Sequence, residues 1–85
     1  MKGNVRFLNL QNGLVAVETS EGFTVLEVRE CCAIDIGDEI SGPLDSSGEK
    51  TLYNGSKDES FDVFIENTRC TRVEAKELLA DLDRQ

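Results

Sequence analysis

Asn12-Gly13-Leu14-Val15-Ala16-Val17-Glu18-Thr19-Ser20-Glu21-Gly22-Phe23-Thr24-Val25-Leu26-Glu27-Val28 is the stretch on which the fold turns. Asn-Gly between two apolar segments is the strongest short-range signal for a two-residue type I′ hairpin turn. Gly13 tolerates the left-handed backbone such a turn demands. Ser20-Glu21-Gly22 is a second break, so residues 14–19 and 23–28 read as consecutive strands. A strand over about residues 3–10 precedes them, with Val5 and Phe7 on one side and Arg6, Leu8 and Leu10 on the other. The three segments form an antiparallel meander.

Alternation within the meander is imperfect. Leu14 and Ala16 oppose Val15 and Val17, so neither face of the middle strand is polar. A sheet that keeps both faces from water is curled or covered by another element. A C-terminal helix is the cover the sequence offers, and a second copy of the chain burying the outer face, a homodimer, is the competing account.

That helix is the clearest element outside the meander. Thr71 followed by Glu74 fits a capping box, in which each side chain satisfies an amide that the first turn leaves free. Cys70 and Ala75 occupy the staple positions around the cap. Ala75, Leu78, Leu79 and Leu82 recur at i, i+3, i+4 and i+7, while Glu74, Lys76, Glu77, Asp81 and Arg84 lie elsewhere on the circumference. The spacing predicts a helix over about 72–83. So short a helix is marginal alone, and its stripe must dock, as a plug in the open end of a barrel or as a cover over the meander.

Between meander and helix the chain is punctuated rather than periodic. Residues 29–36 connect, with 33–36 able to extend briefly. Gly37-Asp38 opens a short fourth strand that ends at Pro43, which has no amide hydrogen to give a neighbour. Residues 45–50 read as a turn, 51–53 as a brief strand and 54–60 as a loop. Residues 61–66 read as a strand with Phe61, Val63 and Ile65 inward, Phe64 interrupting the polar set of Asp62 and Glu66. The sum is a mainly β chain: one domain over residues 1–85, a small five- to six-stranded antiparallel barrel closed by one C-terminal helix.

Eighty-five residues bury a modest core with no room for a large substrate cavity. The net charge of -8 is uneven, with -5 in residues 31–60 against -1 in residues 1–30 and -2 in residues 61–85. Such a surface repels a phosphate backbone. It favours solubility, or a protein partner with a basic surface. The acidic loops that would meet such a partner carry Asp35, Asp38, Glu39, Asp45, Glu49, Asp58 and Glu59.

Little in the sequence points to catalysis. Histidine is absent, and with it the usual general base near neutral pH. The carboxylate pairs Asp38-Glu39 and Asp58-Glu59 are chain neighbours, which an extended backbone points to opposite faces. Cys70 lies between Arg69 and Arg72 just before the helix, where a thiolate would be favoured, but a staple residue packs instead of facing solvent. Cys31, Cys32 and Cys70 leave an odd thiol whatever pairs, which suits a reducing compartment. Without histidine or a C-x-x-C spacing they are not a zinc set. Asp45-x-Ser47-x-Glu49 alternates oxygen ligands but lacks the closing Glu of a calcium loop. The seven glycines fall singly at turns, so no phosphate-cradling loop is present. No cofactor is expected. The longest apolar run, residues 14–17, is too short to cross a bilayer, and no N-terminal apolar core resembles a signal peptide. The expected setting is cytoplasmic.

The order of short strands, with Gly-Asp entering the fourth, resembles the small barrels that include OB folds and SH3-like domains. Within that group Lys2-Gly3-Asn4-Val5-Arg6-Phe7-Leu8-Asn9 is similar to the opening strand of cold-shock domains, whose pattern is Gly, any residue, Val, basic, aromatic, aromatic, Asn. Asp62-Val63-Phe64-Ile65 is similar to a later motif of the same family. The resemblance implies single-stranded nucleic acid bound by stacking on a basic aromatic platform, for which Lys2, Arg6, Phe7 and Arg29 are the available residues. The departures are concrete. Leu8 replaces the second aromatic, residues 13–17 hold no aromatic to stack a base, and the later motif ends in Glu66 where the family has histidine. Architecture carries over; binding residues do not.

Overall fold

The computed structural model of the chain describes residues 1–29 and 33–81. Six strands precede one helix: β1 (Lys2–Asn9), β2 (Leu14–Thr19), β3 (Gly22–Val28), β4 (Glu39–Ser41), β5 (Gly48–Asn54), β6 (Glu59–Cys70) and α1 (Arg72–Asp81). Every pairing is antiparallel, and the strands close into a barrel in the order β1-β2-β3-β6-β5-β4, with β4 returning to β1. The small-barrel resemblance thus holds at the level of architecture, with six strands here against the five of an OB fold. Cys31 and Cys32, and Leu82 at the end of the helical stripe, lie outside the described residues.

The two apolar faces of β2 have separate destinations. Val15 and Val17 point into the barrel with Val5, Leu26, Ile34, Ile40, Leu44, Leu52, Phe61, Val63 and Ile65. Leu14 and Ala16 point outward and form a second core with Phe23, Val25, Cys70, Ala75 and Leu79. Helix α1 therefore lies across the outside of the meander as a cover and does not plug the barrel. Its cap is the predicted one, Thr71 N donating to Glu74 Oε1 at 2.8 Å and Glu74 N to Thr71 Oγ1 at 3.1 Å. Cys70 and Ala75, flanking the cap, are buried in the second core. Asn9 Nδ2 reaches across to the Leu79 carbonyl at 2.7 Å, satisfying an oxygen in the last turn.

Bulges direct side chains between these two cores. The β1–β2 register shifts between Val5 and Phe7, so Arg6 is an extra residue. Val5 and Leu8 thereby face the barrel interior while Phe7 packs on the helix side. This separates Val5 from Phe7, which plain alternation places on one face. The β3–β6 pairing shifts twice, between Phe23 and Val25 and between Val25 and Leu26. Arg69 takes a left-handed φ of 56° near the first shift. Each shift adds one residue to β6 and flips its alternation, so the two cancel and Cys70 keeps the outward side opposite to that of Phe61, Val63 and Ile65, in the outer core beside Phe23.

Four local readings are corrected by the structure. The β1–β2 connection is a four-residue loop between the paired residues Asn9 and Leu14, with Asn12 N bonded to Asn9 O and Gly13 N to Leu10 O. Type I′ geometry needs two left-handed residues, and only Gly13, at φ 70°, adopts one. Strand β5 starts at Gly48, so Glu49 and Lys50 belong to the sheet and not to a turn. Strand β6 continues four residues past Glu66, through Asn67, Thr68 and Arg69, whose polar side chains give no alternating signal. Residues 33–36 form no strand, although Ile34 is buried in the barrel core.

Candidate functional site

Helix α1 packs mainly on the meander, and among the described residues no element covers the outer face of β5 and β6. Alternation places Glu49, Thr51 and Tyr53 of β5 outward beside Ser60, Asp62, Phe64 and Glu66 of β6. The register sets Glu49 opposite Phe64, Thr51 opposite Asp62 and Tyr53 opposite Ser60. On the other flank Glu27 of β3 pairs with Phe64 as well. Phe64 therefore sits between two carboxylate-bearing neighbours, half-buried, in the middle of the face.

Arg29, just past the end of β3, completes the arrangement. Its Nη2 donates to Glu49 Oε2 at 3.1 Å, and its Cζ lies 5.5 Å from the centroid of the Phe64 ring. Thr51 Oγ1 donates to Asp62 Oδ1 at 2.8 Å. A shallow hollow of about 580 Å³ opens alongside, lined by Arg29, Glu49, Lys50, Thr51, Asp62 and Val63. At the turn end of the face, the Tyr53 hydroxyl donates to Asp58 Oδ1. That hydrogen bond, with desolvation and the Asp58 charge, raises the Tyr53 pKa above the ordinary phenol value.

Next to this face the entry to β4 is tied to the β5–β6 turn. Asn54, fully buried, accepts Ser56 N at 2.9 Å and Lys57 N at 3.0 Å on its Oδ1, and donates Nδ2 to Asp38 Oδ2 at 2.8 Å. Asp38 also accepts Asp35 N at 3.0 Å and Lys57 Nζ at 3.1 Å. Lys57 Nζ reaches Asp35 Oδ2 at 3.0 Å. Burial pushes the Asp38 carboxyl up, but the hydrogen bonds from Asn54, Asp35 and Lys57 and the lysine charge outweigh it, and the group is held below its ordinary value. Asp35 and Asp38 together raise the Lys57 pKa. A segment that reads as loose loop is thus a tied hairpin.

The seven acids singled out from the sequence are therefore distributed. Asp35, Asp38, Glu39, Asp58 and Glu59 gather around the β5–β6 turn, Glu39 through its amide on Ser56 Oγ at 3.0 Å and Glu59 as the partner of Asn54 in the ladder. Asp38 is the buried member of the set and is engaged inside the protein. Glu49 belongs to the open face, and exposed Asp45 lies in the turn before β5. Phe64, Asp62, Glu66 and Tyr53 join the site only in three dimensions. Their one signal in the sequence is Phe64 breaking the polar alternation of Asp62 and Glu66.

The four nucleic-acid candidates are not brought together. Lys2 and Arg6 line a small hollow with Glu18, to which Arg6 Nε is bonded at 2.7 Å. Phe7 stacks on Phe23 with centroids 5.7 Å apart, and Arg72 and Lys76 of α1 lie over its ring at 5.5 and 5.3 Å. Arg29 is on the open face with Phe64. The cations flanking Cys70 point elsewhere, Arg69 to Glu21 at 3.3 Å and Arg72 to Phe7. Burial and the Glu74 carboxylate push the Cys70 thiol up. Among the described residues no three His, Cys, Asp or Glu side chains are placed to hold a metal ion, and no helix is long and apolar enough to cross a membrane. No protein-family model, curated protein or solved structure matches the chain.

Proposed function

We propose that this chain is a non-catalytic interaction module that presents the open β5–β6 face to a protein partner with a basic surface. One observation carries the reading. The helix buries the outer side of the meander, while the face opposite keeps Phe64 and Tyr53 accessible among Glu27, Glu49, Asp62 and Glu66. Aromatic side chains within a charged rim are the composition of a binding patch. With a net charge of -8, two copies meeting through this face would oppose like charges, which favours a basic partner over a second copy. The absence of histidine, the engagement of Asp38 by Asn54 and Lys57, and the buried Cys70 thiol support a role without chemistry. That free thiol, in a chain with three cysteines, supports a reducing, cytoplasmic setting.

The test is capture from lysate at low and moderate salt with the wild-type chain and with the double variant Asp62→Lys/Glu66→Lys. The expected result is one or more basic proteins retained by the wild type and lost by the variant. A set of captured proteins identical for both chains overturns the proposal. Saturable binding of a single-stranded oligonucleotide at low salt, where electrostatic attraction is strongest, would replace it with the competing reading of a nucleic-acid-binding barrel.

A further inference from the structure

The Phe64 ring already holds a cation. The Arg29 guanidinium carbon lies over the ring, 5.5 Å from its centroid, while Nη2 donates to Glu49 Oε2 at 3.1 Å. A guanidinium over an aromatic ring that also donates to a flanking carboxylate is one way proteins hold arginine. The second carboxylate neighbour of Phe64 in the sheet, Glu27, lies on the β3 side. Arg29 holds this place weakly. The Arg29 and Glu49 side chains are 46% and 77% exposed, and a pair so exposed is worth less than about tenfold in an equilibrium constant.

We infer that Phe64, Glu49 and Glu27 form an arginine seat which Arg29 occupies in the free protein, and that an arginine of the basic partner displaces it. The inference rests on the proposed docking role of the β5–β6 face and names what that face recognises. The displaced Arg29 stays within the hollow it lines with Asp62, so its charge keeps a carboxylate at hand. Arginine is preferred over lysine because an ammonium supplies the charge without the planar fork. Arg29 thus competes with the incoming arginine for the ring and weakens its binding.

Titration of the ¹⁵N-labelled chain with nona-arginine and with nona-lysine at low salt tests the seat. Nona-arginine is expected to bind more tightly and to shift the Arg29 side-chain Nε–H and the Phe64 amide. Removing the resident cation by Arg29→Gln should raise the preference for nona-arginine over nona-lysine by about two- to fivefold, the range of an exposed cation–π contact. Phe64→Leu, which keeps an apolar side chain in place, should abolish that preference. Equal binding of the two peptides, or a preference unchanged in both variants, overturns the seat. If nona-arginine is then still weakened by Asp62→Lys/Glu66→Lys, the docking face stands without it. If nona-arginine does not bind, the seat falls, and the docking face is judged by the lysate experiment alone.

Discussion

Asn54 Nδ2 lies 2.8 Å from Asp38 Oδ2, and both side chains are buried. This contact joins the start of β4 to the β5–β6 hairpin, two parts of the chain sixteen residues apart. It lets one amide side chain organise the turn through its oxygen and the strand entry through its nitrogen. Asp38→Ala would leave that nitrogen buried without an acceptor, and an unsatisfied buried donor costs about 1–3 kcal/mol. Urea unfolding of the variant is expected to show a loss of about 2 kcal/mol.

The same carboxyl gives stability a pH dependence of known sign. Its pKa is lowered in the folded chain relative to 3.8, so between the two values the unfolded chain binds more protons. Its contribution is fully present above about pH 4 and is lost as pH falls through the folded value. Asp38→Asn removes this titration. The difference in unfolding free energy between wild type and variant should be constant from pH 7 to pH 5 and shrink below pH 4. A difference that does not change with pH would contradict the assignment.

Helix α1 is held by its cap and its docked stripe, and the two are separable by mutation. Thr71→Ala removes the hydroxyl that accepts Glu74 N and should cost about 1 kcal/mol. Leu79→Ala opens a cavity against Leu14, Ala16, Phe23 and Val25, with an expected loss of about 2–4 kcal/mol. Binding of a fluorescent apolar dye should rise in the Leu79 variant and not in the Thr71 variant, because only the former loosens the cover over apolar sheet.

Cys70 should be a slow thiol. Burial and the nearby Glu74 carboxylate both raise its pKa above the ordinary thiol value. In a Cys31→Ser/Cys32→Ser background, alkylation of Cys70 at pH 7.5 should be slower than that of a free thiol and should accelerate on adding urea. A pH–rate profile with an apparent pKa below the ordinary value would restore a reactive role.

Gly22 is a backbone requirement of the β2–β3 hairpin. It adopts φ 115°, and a Cβ there would stand 2.9 Å from the Cys70 carbonyl oxygen. Gly22→Ala should lower the thermal midpoint by several degrees, consistent with a cost above about 1 kcal/mol at this chain length. An alanine variant as stable as the wild type would show that the hairpin can shift.

The architecture was legible because its signals are local. Asn12-Gly13 and Ser20-Glu21-Gly22 delimit the meander, and Thr71 with Glu74 starts the helix. The inability of residues 14–17 to find a polar face already called for a cover. Less was legible where strands carry polar residues. Gly48-Glu49-Lys50 and Asn67-Thr68-Arg69 have no apolar alternation, yet pairing with a neighbour makes them strand. The β1 bulge at Arg6 was also silent, since nothing in Val5-Arg6-Phe7 marks an extra residue.

The candidate site divides in the same way. Composition determined that the molecule is acidic and placed the excess charge in residues 31–60. Tertiary structure decided which of those charges face outward. It buried Asp38 against Asn54 and Lys57, and it set Glu49 of β5 and Glu27 of β3 on either side of Phe64 of β6. Residues this far apart in sequence become neighbours only through strand register and barrel closure. A turn signal or a helix cap acts within a few residues and can be read from the chain, whereas the face of a sheet is fixed by all the strands that pair to form it.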